Sequence, residues 1–453
     1  MVFFPNEILH PILVLAVSVR GYKRAVRLRL VSRAWNAAVE YAAFESDVLD
    51  VHLEYLLFAH WPTDFWPRFL TYRALHRTKR VSPRMRMVRE LAECIVEMRG
   101  QDGRESRASD VVECVKDIYR GITSVYDAED QLYGDGLKPR AKIDRDSGTF
   151  RRALVAAATC INDVDIVRRV LLLPLSEHDD DLFEYPSLPM AACNGNVGVV
   201  SCLLADESHA IHDTPRGKVL YHAARGNQMD VLEYILGPDF DTNSPDFVYL
   251  RGKLVDSLYV TGSVDIFKRC FELVKDHMQH PMRPRDIRIE HCNFSVMFLR
   301  AAEKGVVPLM KYISTLGVPI DGREPDGERD FNRPISVAAF NGHEDAVKWL
   351  LNREAALDAS LHAVVAVGSH SITRLLIAHG ALYNHKVVQR ALVETVKREN
   401  ETLFWLLVEH GARLDEEATK KAMDIVEAEQ LESMKKLLQE YSDRYPRPYK
   451  YVG

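Results

Sequence analysis

A pattern that recurs between residues 150 and 441 constrains the fold of this chain more than any other feature. VAAFNGHEDAVKWLL, from Val337 to Leu351, has counterparts at 190–204, 222–236 and 300–314. Each copy carries two small residues, then a Gly or Asn, and then an apolar segment with helical spacing. Self-similarity at a nearly constant period indicates a repeat architecture, in which each repeat buries its apolar face against its neighbours. We therefore expect a stack of helix pairs.

One position in each repeat, equivalent to Gly342, marks the turn between its two helices and is called the anchor below. The nine anchors are Asn162, Gly195, Asn227, Gly262, Gly305, Gly342, Gly368, Glu399 and Glu429. The intervals between them are 33, 32, 35, 43, 37, 26, 31 and 30 residues. Seven of the anchors are Gly or Asn, which tolerate the left-handed backbone conformation of a tight helix–helix turn. The pattern thus predicts where each pair of helices turns.

These repeats resemble the ankyrin repeat, whose period is about 33 residues. GHEDAVKWLL (342–351) is similar to the second helix of that family, and LLIAHGA (375–381) and LLVEHGA (406–412) are similar to its exit. The family's Thr-Pro-Leu-His opening survives only at 333–336, and the last repeats are too short for a full β-hairpin finger. The resemblance implies an all-α protein with an ankyrin-type α-solenoid of about nine degenerate repeats at 150–441. A generic solenoid of helical hairpins is the alternative.

The N-terminal residues 1–46 are predicted to form a small helical module. In it, Pro5-Asn6-Glu7-Ile8-Leu9, followed by RLRLVSRAW at 27–35, is similar to an F-box. That resemblance implies docking to the small adaptor subunit of a cullin-RING ubiquitin ligase. The docking face would consist of Pro5, Ile8, Leu9, Ile12, Leu13, Leu30, Val31 and Trp35. Phe4 replaces the usual leucine and the middle acidic residue is absent, so a helical cap without a docking role is the alternative.

Residues 47–149 carry no repeat and are expected to form a helical connecting region, with a linker at 134–148 and a flexible tail at the other end, 442–453. The connecting region contains a basic stretch at 68–89 that lacks any acidic residue. Its members are Arg68, Arg73, Arg77, Lys79, Arg80, Arg84, Arg86 and Arg89. Such a stretch suits nucleic acid or a localisation signal. We favour the other interpretation, a solvated helix face that faces acids such as Glu177.

The motifs of common enzyme classes are absent from the sequence. There is no GxxxxGK[ST] phosphate loop, no HExxH and no GxSxG, and the seven cysteines form no CxxC pair. The residues His277, His280, His291 and Cys292 lie close together, but their spacing fits no zinc module. We therefore expect no catalysis, no metal and no cofactor. The net charge of −6 and the lack of a membrane-spanning apolar run predict a soluble protein of the cytoplasm or nucleus.

The features together predict a protein-binding chain. The leading hypothesis is a substrate receptor of a cullin-RING ligase, in which the N-terminal module docks to the adaptor and the repeats hold the target. The alternatives are an ankyrin scaffold or sensor without a ubiquitin link, and a nucleic-acid-associated protein that uses the basic stretch at 68–89.

Target binding is predicted on the two longest inter-repeat segments, within 277–292 and 317–334, because extra length has to protrude. Their basic residues, which would suit an acidic partner, are Arg283, Arg285, Arg288, Arg323, Arg329 and Arg333. Trp405 is a further candidate, since it occupies a slot that is polar in the other eight repeats. An exposed tryptophan is a typical contact hot spot. Packing under the tail at 444–449, or a buried core position, are the alternatives for Trp405.

Overall fold

The computed structural model of the protein describes most of the chain. The described residues are 6–20, 33–46, 64–76, 82–100, 108–123, 144–173, 187–205, 215–237, 240, 242, 245–275, 294–322, 333–357 and 360–446. Their regular secondary structure is helical, and no strand occurs among them. The protein therefore belongs to the all-α class.

In the described part of the chain, five helices precede the repeat region. They are α1 (Asn6–Arg20), α2 (Arg33–Glu45), α3 (Phe65–Leu75), α4 (Pro83–Gly100) and α5 (Ala108–Thr123).

Nine pairs of helices follow in the described part of the chain. The pairs are α6 (Gly148–Cys160) with α7 (Val164–Leu171), α8 (Ser187–Cys193) with α9 (Val197–Ala205), α10 (Pro215–Arg225) with α11 (Met229–Leu236), α12 (Pro245–Val260) with α13 (Val264–Val274), α14 (Phe294–Glu303) with α15 (Val307–Ser314), α16 (Pro334–Phe340) with α17 (Glu344–Leu351), α18 (Ser360–Val367) with α19 (His370–Ala378), α20 (His385–Lys397) with α21 (Glu401–Glu409), and α22 (Glu416–Ala428) with α23 (Glu432–Arg444).

The chain divides into two compact units, Met1–Lys253 and Leu254–Gly453, and the division falls within α12. In unit 1 the first helices of successive pairs, α6, α8 and α10, pack side by side, and the second helices α7, α9 and α11 form another row. Helix α5 packs beside α6 and extends the first row. In unit 2 the helices α14, α16, α18, α20 and α22 form one row, and α13, α15, α17 and α19 the other. Each unit thus has a helical-repeat architecture.

The end of the segment predicted as a linker, 134–148, is folded onto α4. Residues 134–143 lie outside the described part, but the Ser147 side chain accepts a hydrogen bond from the Phe150 N–H and caps α6. Just before it, the guanidinium of Arg145 bonds to two carboxylates of α4, those of Glu90 and Glu97, both at 3.0 Å. These bonds raise the pKa of the Arg145 guanidinium. The repeat region therefore begins on a fixed contact with α4.

The turns inside the helix pairs share one backbone design. The anchors with left-handed φ, between 51° and 82°, are Asn162, Gly195, Asn227, Gly305, Gly342, Gly368 and Glu399. At Gly342, for example, the anchor N–H donates to the carbonyl of Ala339 at 3.1 Å, and the next N–H, of His343, donates to that of Ala338 at 2.9 Å. This Schellman arrangement satisfies the last carbonyls of the first helix, and the paired alanines carry the acceptors.

All nine predicted anchors lie between the two helices of their pair, but two of them depart from this backbone design. In the last pair the left-handed residue is Gln430, φ 54°, one position after Glu429. The shift keeps the apolar register, because Met434 and Leu438 are then buried four and eight residues after the turn. Gly262 has no left-handed φ. At that turn the Ser263 N–H donates to the Thr261 hydroxyl at 3.0 Å instead.

At two turns of unit 1, the residue that follows the anchor joins its helix pair to the preceding one. Asn196 donates its side-chain N–H to the carbonyl of Thr159 at 2.9 Å, and Gln228 donates to that of Cys193 at 3.2 Å. Each acceptor lies at the end of the first helix of the preceding pair. The side chain of Gln228 also lies against the Gly195 anchor, where a Cβ atom would approach it to 2.4 Å. Glycine at this anchor therefore serves both the turn and the close packing of the next pair.

Candidate protein-binding surfaces

The first three helices share an apolar core. On α1, Leu13 is 2% exposed and Val17 is fully buried. They belong to one cluster with buried side chains of α2 and α3, among them Val39 and Phe69. The aromatic ring of Phe44 packs between Phe65 and Phe69, with ring centroids 5.5 and 5.3 Å away. Helix α1 is thus held firmly along one side.

The other side of α1 carries an apolar surface. Ile12 is 52% exposed and Leu15 is 65% exposed. Residues three apart are neighbours on a helix surface, so the two side chains form a pair. Next to them Pro11 is also exposed. No side chain of the described residues covers this pair, which we call the α1 patch.

The structure separates the residues that were predicted to form the docking face. Ile12 lies on the surface, Leu9 is half-buried against the core, and Leu13 is inside it. Ile8 and Trp35 lie on α1 and α2, but their side chains are outside the described part, as are the whole of Pro5, Leu30 and Val31. Leu15 was missed, although its spacing from Ile12 was a usable signal.

The basic stretch at 68–89 does not form the solvated face that we expected. Arg73 and Arg84 are buried, at 3% and 2% exposure. The Arg73 guanidinium lies 5.2 Å from the centroid of the Phe69 ring. Arg77, Lys79 and Arg80 lie outside the described residues, and Arg86 is exposed.

Two further members of the stretch are paired within the protein. Arg68 binds the carboxylates of Glu40 at 2.5 Å and Asp64 at 3.2 Å. Arg89 binds Glu93 at 3.0 Å. The expected solvated face is interrupted because Arg73 on α3 and Arg84 on α4 are buried, and because Arg68 and Arg89 pair with acids of α2, α4 and the start of α3. The acids near 177–181 lie outside the described residues.

Most of the predicted target-binding arginines, Arg283, Arg285, Arg288, Arg323 and Arg329, lie outside the described residues. Arg333 is half-buried and precedes α16 at its N-cap position. Trp405 is also half-buried, and the guanidinium of Arg444 lies 4.5 Å from the centroid of its ring. The first residue of the predicted covering segment, 444–449, therefore contacts Trp405.

A cleft of about 630 Å³ lies in unit 2 between α18, α20 and α22. It was not predicted. Four exposed cations lie on its rim, Lys386, Arg390 and Lys397 of α20 and Lys421 of α22. None of these four side chains makes a hydrogen bond or an ion pair with any residue that the structure describes. A histidine, His362 of α18, lines one wall.

The floor of the cleft is fixed by Gln389, which is only 7% exposed. Its side-chain N–H donates to the carbonyl of Arg413 at 2.7 Å, and its carbonyl oxygen accepts from the Asp415 N–H at 3.0 Å. These two bonds tie the loop before α22 to α20. His385 completes this corner, since its Nε2 lies 3.6 Å from an oxygen of Asp415. The cleft is thus formed in advance of any ligand.

Two of the acids that line the cleft already have partners within the protein. The Glu394 carboxylate accepts from Arg398 at 2.7 Å, and the Asp415 side chain accepts from the Ala418 N–H at the start of α22, also at 2.7 Å. Burial lowers the pKa of His362, and the Arg390 guanidinium adds to this effect, while Glu394 opposes it. His362 is consequently neutral at neutral pH.

The described residues offer no evident reactive centre. They contain no group of three or more His, Cys, Asp and Glu that could hold a metal ion. The cluster at 277–292 lies outside the described part. Burial raises the pKa of the Cys114 thiol to about 12 and also raises that of Cys94, so both thiols are protonated and poor nucleophiles at neutral pH. None of the helices described is long and apolar enough to cross a membrane.

No family model matches this chain, and no curated protein is significantly similar to it.

Proposed function

We propose that this protein binds other proteins as a substrate receptor of a cullin-RING ubiquitin ligase. In this role the N-terminal module docks to the small adaptor subunit, and the helix pairs hold the target. The observation that carries the proposal is the α1 patch, Ile12 and Leu15, on a helix whose opposite side is already buried. A helix held in this way presents its free apolar side to a partner.

Apolar area gains about 25 cal/mol per Å² when it leaves water, so a fixed pair of large aliphatic side chains favours a protein interface. The similarity of residues 5–35 to an F-box supplies the class of partner. The helical-repeat architecture supports the second half of the proposal, since stacked helix pairs present extended surfaces that suit protein ligands.

The test is binding of the full chain to the purified adaptor subunit, measured by calorimetry. The variant Ile12→Asp/Leu15→Asp places two carboxylates where the interface would exclude water, which is costly. We expect it to abolish binding. The matched control is Leu172→Asp/Leu173→Asp, which adds the same charges at two exposed leucines after α7. The control should bind like the wild type.

A scaffold or sensor without a ubiquitin link is the second candidate. The burial of Leu13 and the partial burial of Leu9 favour it, because these side chains seal the first three helices and leave a smaller docking face than the F-box resemblance implied. If the wild-type chain does not bind the adaptor at micromolar concentration, the receptor proposal fails and the scaffold proposal takes its place.

A further inference from the structure

We propose that the cleft between α18, α20 and α22 binds an acidic peptide segment in extended conformation. This deepens the proposed function, from which it takes only the premise that the target is a protein. The proposal differs from our expectation that target binding uses the loops at 277–292 and 317–334. It places the target on helices instead.

Charge is the first argument. Four exposed cations, Lys386, Arg390, Lys397 and Lys421, line the cleft, and no described residue neutralises them by an ion pair or hydrogen bond. Three acids also line the cleft, Glu394, Asp415 and Glu417, so the four cations outnumber them, and Glu394 is already paired with Arg398. The lining thus carries an excess of positive charge in a chain whose net charge is −6. A ligand with clustered negative charge matches this surface.

The spacing of the cations is the second argument. Lys386, Arg390 and Lys397 are four and seven residues apart, which places them on one face of α20. At 1.5 Å per residue the stripe is about 16 Å long. An extended peptide advances about 3.3 Å per residue, so about five residues span the stripe. Lys421 faces the same cleft from α22 and would hold the segment from the other side.

The rigidity of the floor is the third argument. The Gln389 side chain joins α20 to the loop before α22 through two hydrogen bonds to backbone groups. The two walls that carry the cations therefore do not have to be ordered on binding. Preorganisation of this kind lowers the entropic cost of holding a flexible peptide.

The lining favours a peptide over a nucleic acid. Proteins that bind single strands stack bases on aromatic side chains, and among the described residues that line the cleft none is Phe, Tyr or Trp. Its apolar members are aliphatic, Val393, Ala418 and Ile425. Glu417, an acid on the same wall as Lys421, would repel a continuous phosphate backbone, whereas a peptide can place a neutral residue there.

The experiment measures fluorescence anisotropy of a labelled hexaglutamate peptide, with hexaglutamine as the neutral probe, titrated with the full chain. The variant Arg390→Glu/Lys397→Glu reverses two charges of the stripe. The control Lys435→Glu/Lys436→Glu makes the same charge change on α23, where both lysines are exposed and away from the cleft lining. Circular dichroism confirms that each variant is folded.

We expect hexaglutamate to bind the wild type and the control, with an affinity that falls as salt rises, and hexaglutamine not to bind. The affinity of the cleft variant for hexaglutamate should be lower than that of the wild type by roughly tenfold or more. Equal binding by the cleft variant and the control would overturn the proposal. So would binding of oligothymidine in place of the peptide. The cleft variant keeps the α1 patch, so adaptor binding, measured in parallel, shows whether the receptor proposal fails separately.

Discussion

The imidazole Nε2 of His343 donates a hydrogen bond to the carbonyl oxygen of Glu303, 2.9 Å away in the neighbouring helix pair. The same ring lies against the Gly305 anchor, where a Cβ atom would approach it to 2.5 Å. The anchor of one pair and the residue after the anchor of the next therefore form a single contact. This contact has a direct consequence for substitutions at the glycines.

Gly305→Ala should destabilise unit 2 more than Gly342→Ala does. Both glycines have left-handed φ, 68° and 75°, so alanine costs about 1–2 kcal/mol at either site. Only at Gly305 does the new methyl group also collide with His343, whereas Gly342 faces open space. Urea unfolding of both variants measures the difference. In a His343→Ala background the extra cost of Gly305→Ala should shrink, and a cost that stays the same would contradict the steric explanation.

Gly226→Ala should be among the most destabilising single substitutions in unit 1. Its Cβ would come to 1.9 Å from the carbonyl oxygen of Cys193, and a backbone atom of the preceding helix pair cannot move aside as a flexible side chain can. We expect a loss of about 2–4 kcal/mol, measured by urea unfolding. Gly100→Ala is the control, because nothing lies within 4 Å of its Cβ position. Equal stability of the two variants would show that the helix pairs can separate at this point.

Arg444→Gln should weaken the packing of Trp405. A cation over an aromatic ring contributes about 0.5–1 kcal/mol at an exposed site. Arg444 also binds Glu440 at 2.6 Å, so the contribution of the ring has to be isolated. A double-mutant cycle with Trp405→Leu, followed by urea unfolding, does this. Coupling near zero would mean that the guanidinium only lies close to the ring and does not stabilise it.

Acid should destabilise unit 1 through His222. Burial lowers the pKa of His222 to about 4, and the cations Arg225, Lys253 and Lys218 contribute to the shift. In the unfolded chain this imidazole binds its proton near pH 6.5. The contribution of neutral His222 to the free energy of unfolding is therefore fully present above about pH 6.5, declines as the pH falls, and is lost below about pH 4. His222→Gln should flatten part of that decline in urea unfolding midpoints. His379→Gln, at an exposed histidine of unit 2, is the control, and an equal flattening there would exclude His222 as the cause.

The turns could be predicted from the sequence because their determinants are local. A residue that tolerates left-handed φ and two small residues before it are enough to place the Schellman turn, and the period placed even Glu399 correctly. Gly262 lies in its predicted turn but is not left-handed, since there the Ser263 N–H donates to the Thr261 hydroxyl. The threonine is visible in the sequence, but whether the backbone N–H bonds to its hydroxyl or to a carbonyl of the preceding helix depends on which acceptor lies closer.

The surfaces were harder to predict, since they depend on packing between elements. Both sides of α1 are apolar, and only the position of α2 and α3 decides that Leu13 is buried and Ile12 exposed. The cleft was hidden by the misplaced last anchor. With Gln430 as the anchor, Arg390 and Lys421 each lie nine residues before the left-handed residue of their pair. That shared register would have indicated a basic row on adjacent helices.

The bonds from the post-anchor side chains of Asn196, Gln228 and His343 to the preceding pair limit how such a chain can change length during evolution. Asn196 and Gln228 each reach back to a carbonyl near the end of the first helix of the preceding pair, those of Thr159 and Cys193. A deletion whose two ends fall at equivalent positions of neighbouring pairs removes one complete pair. The post-anchor side chain of the following pair can then donate to the carbonyl at the end of the first helix of the pair before the deletion. A deletion of the same length within a single helix-to-helix connection would leave that carbonyl without a donor. Gain and loss of whole pairs is therefore the change in length that this architecture accepts most readily.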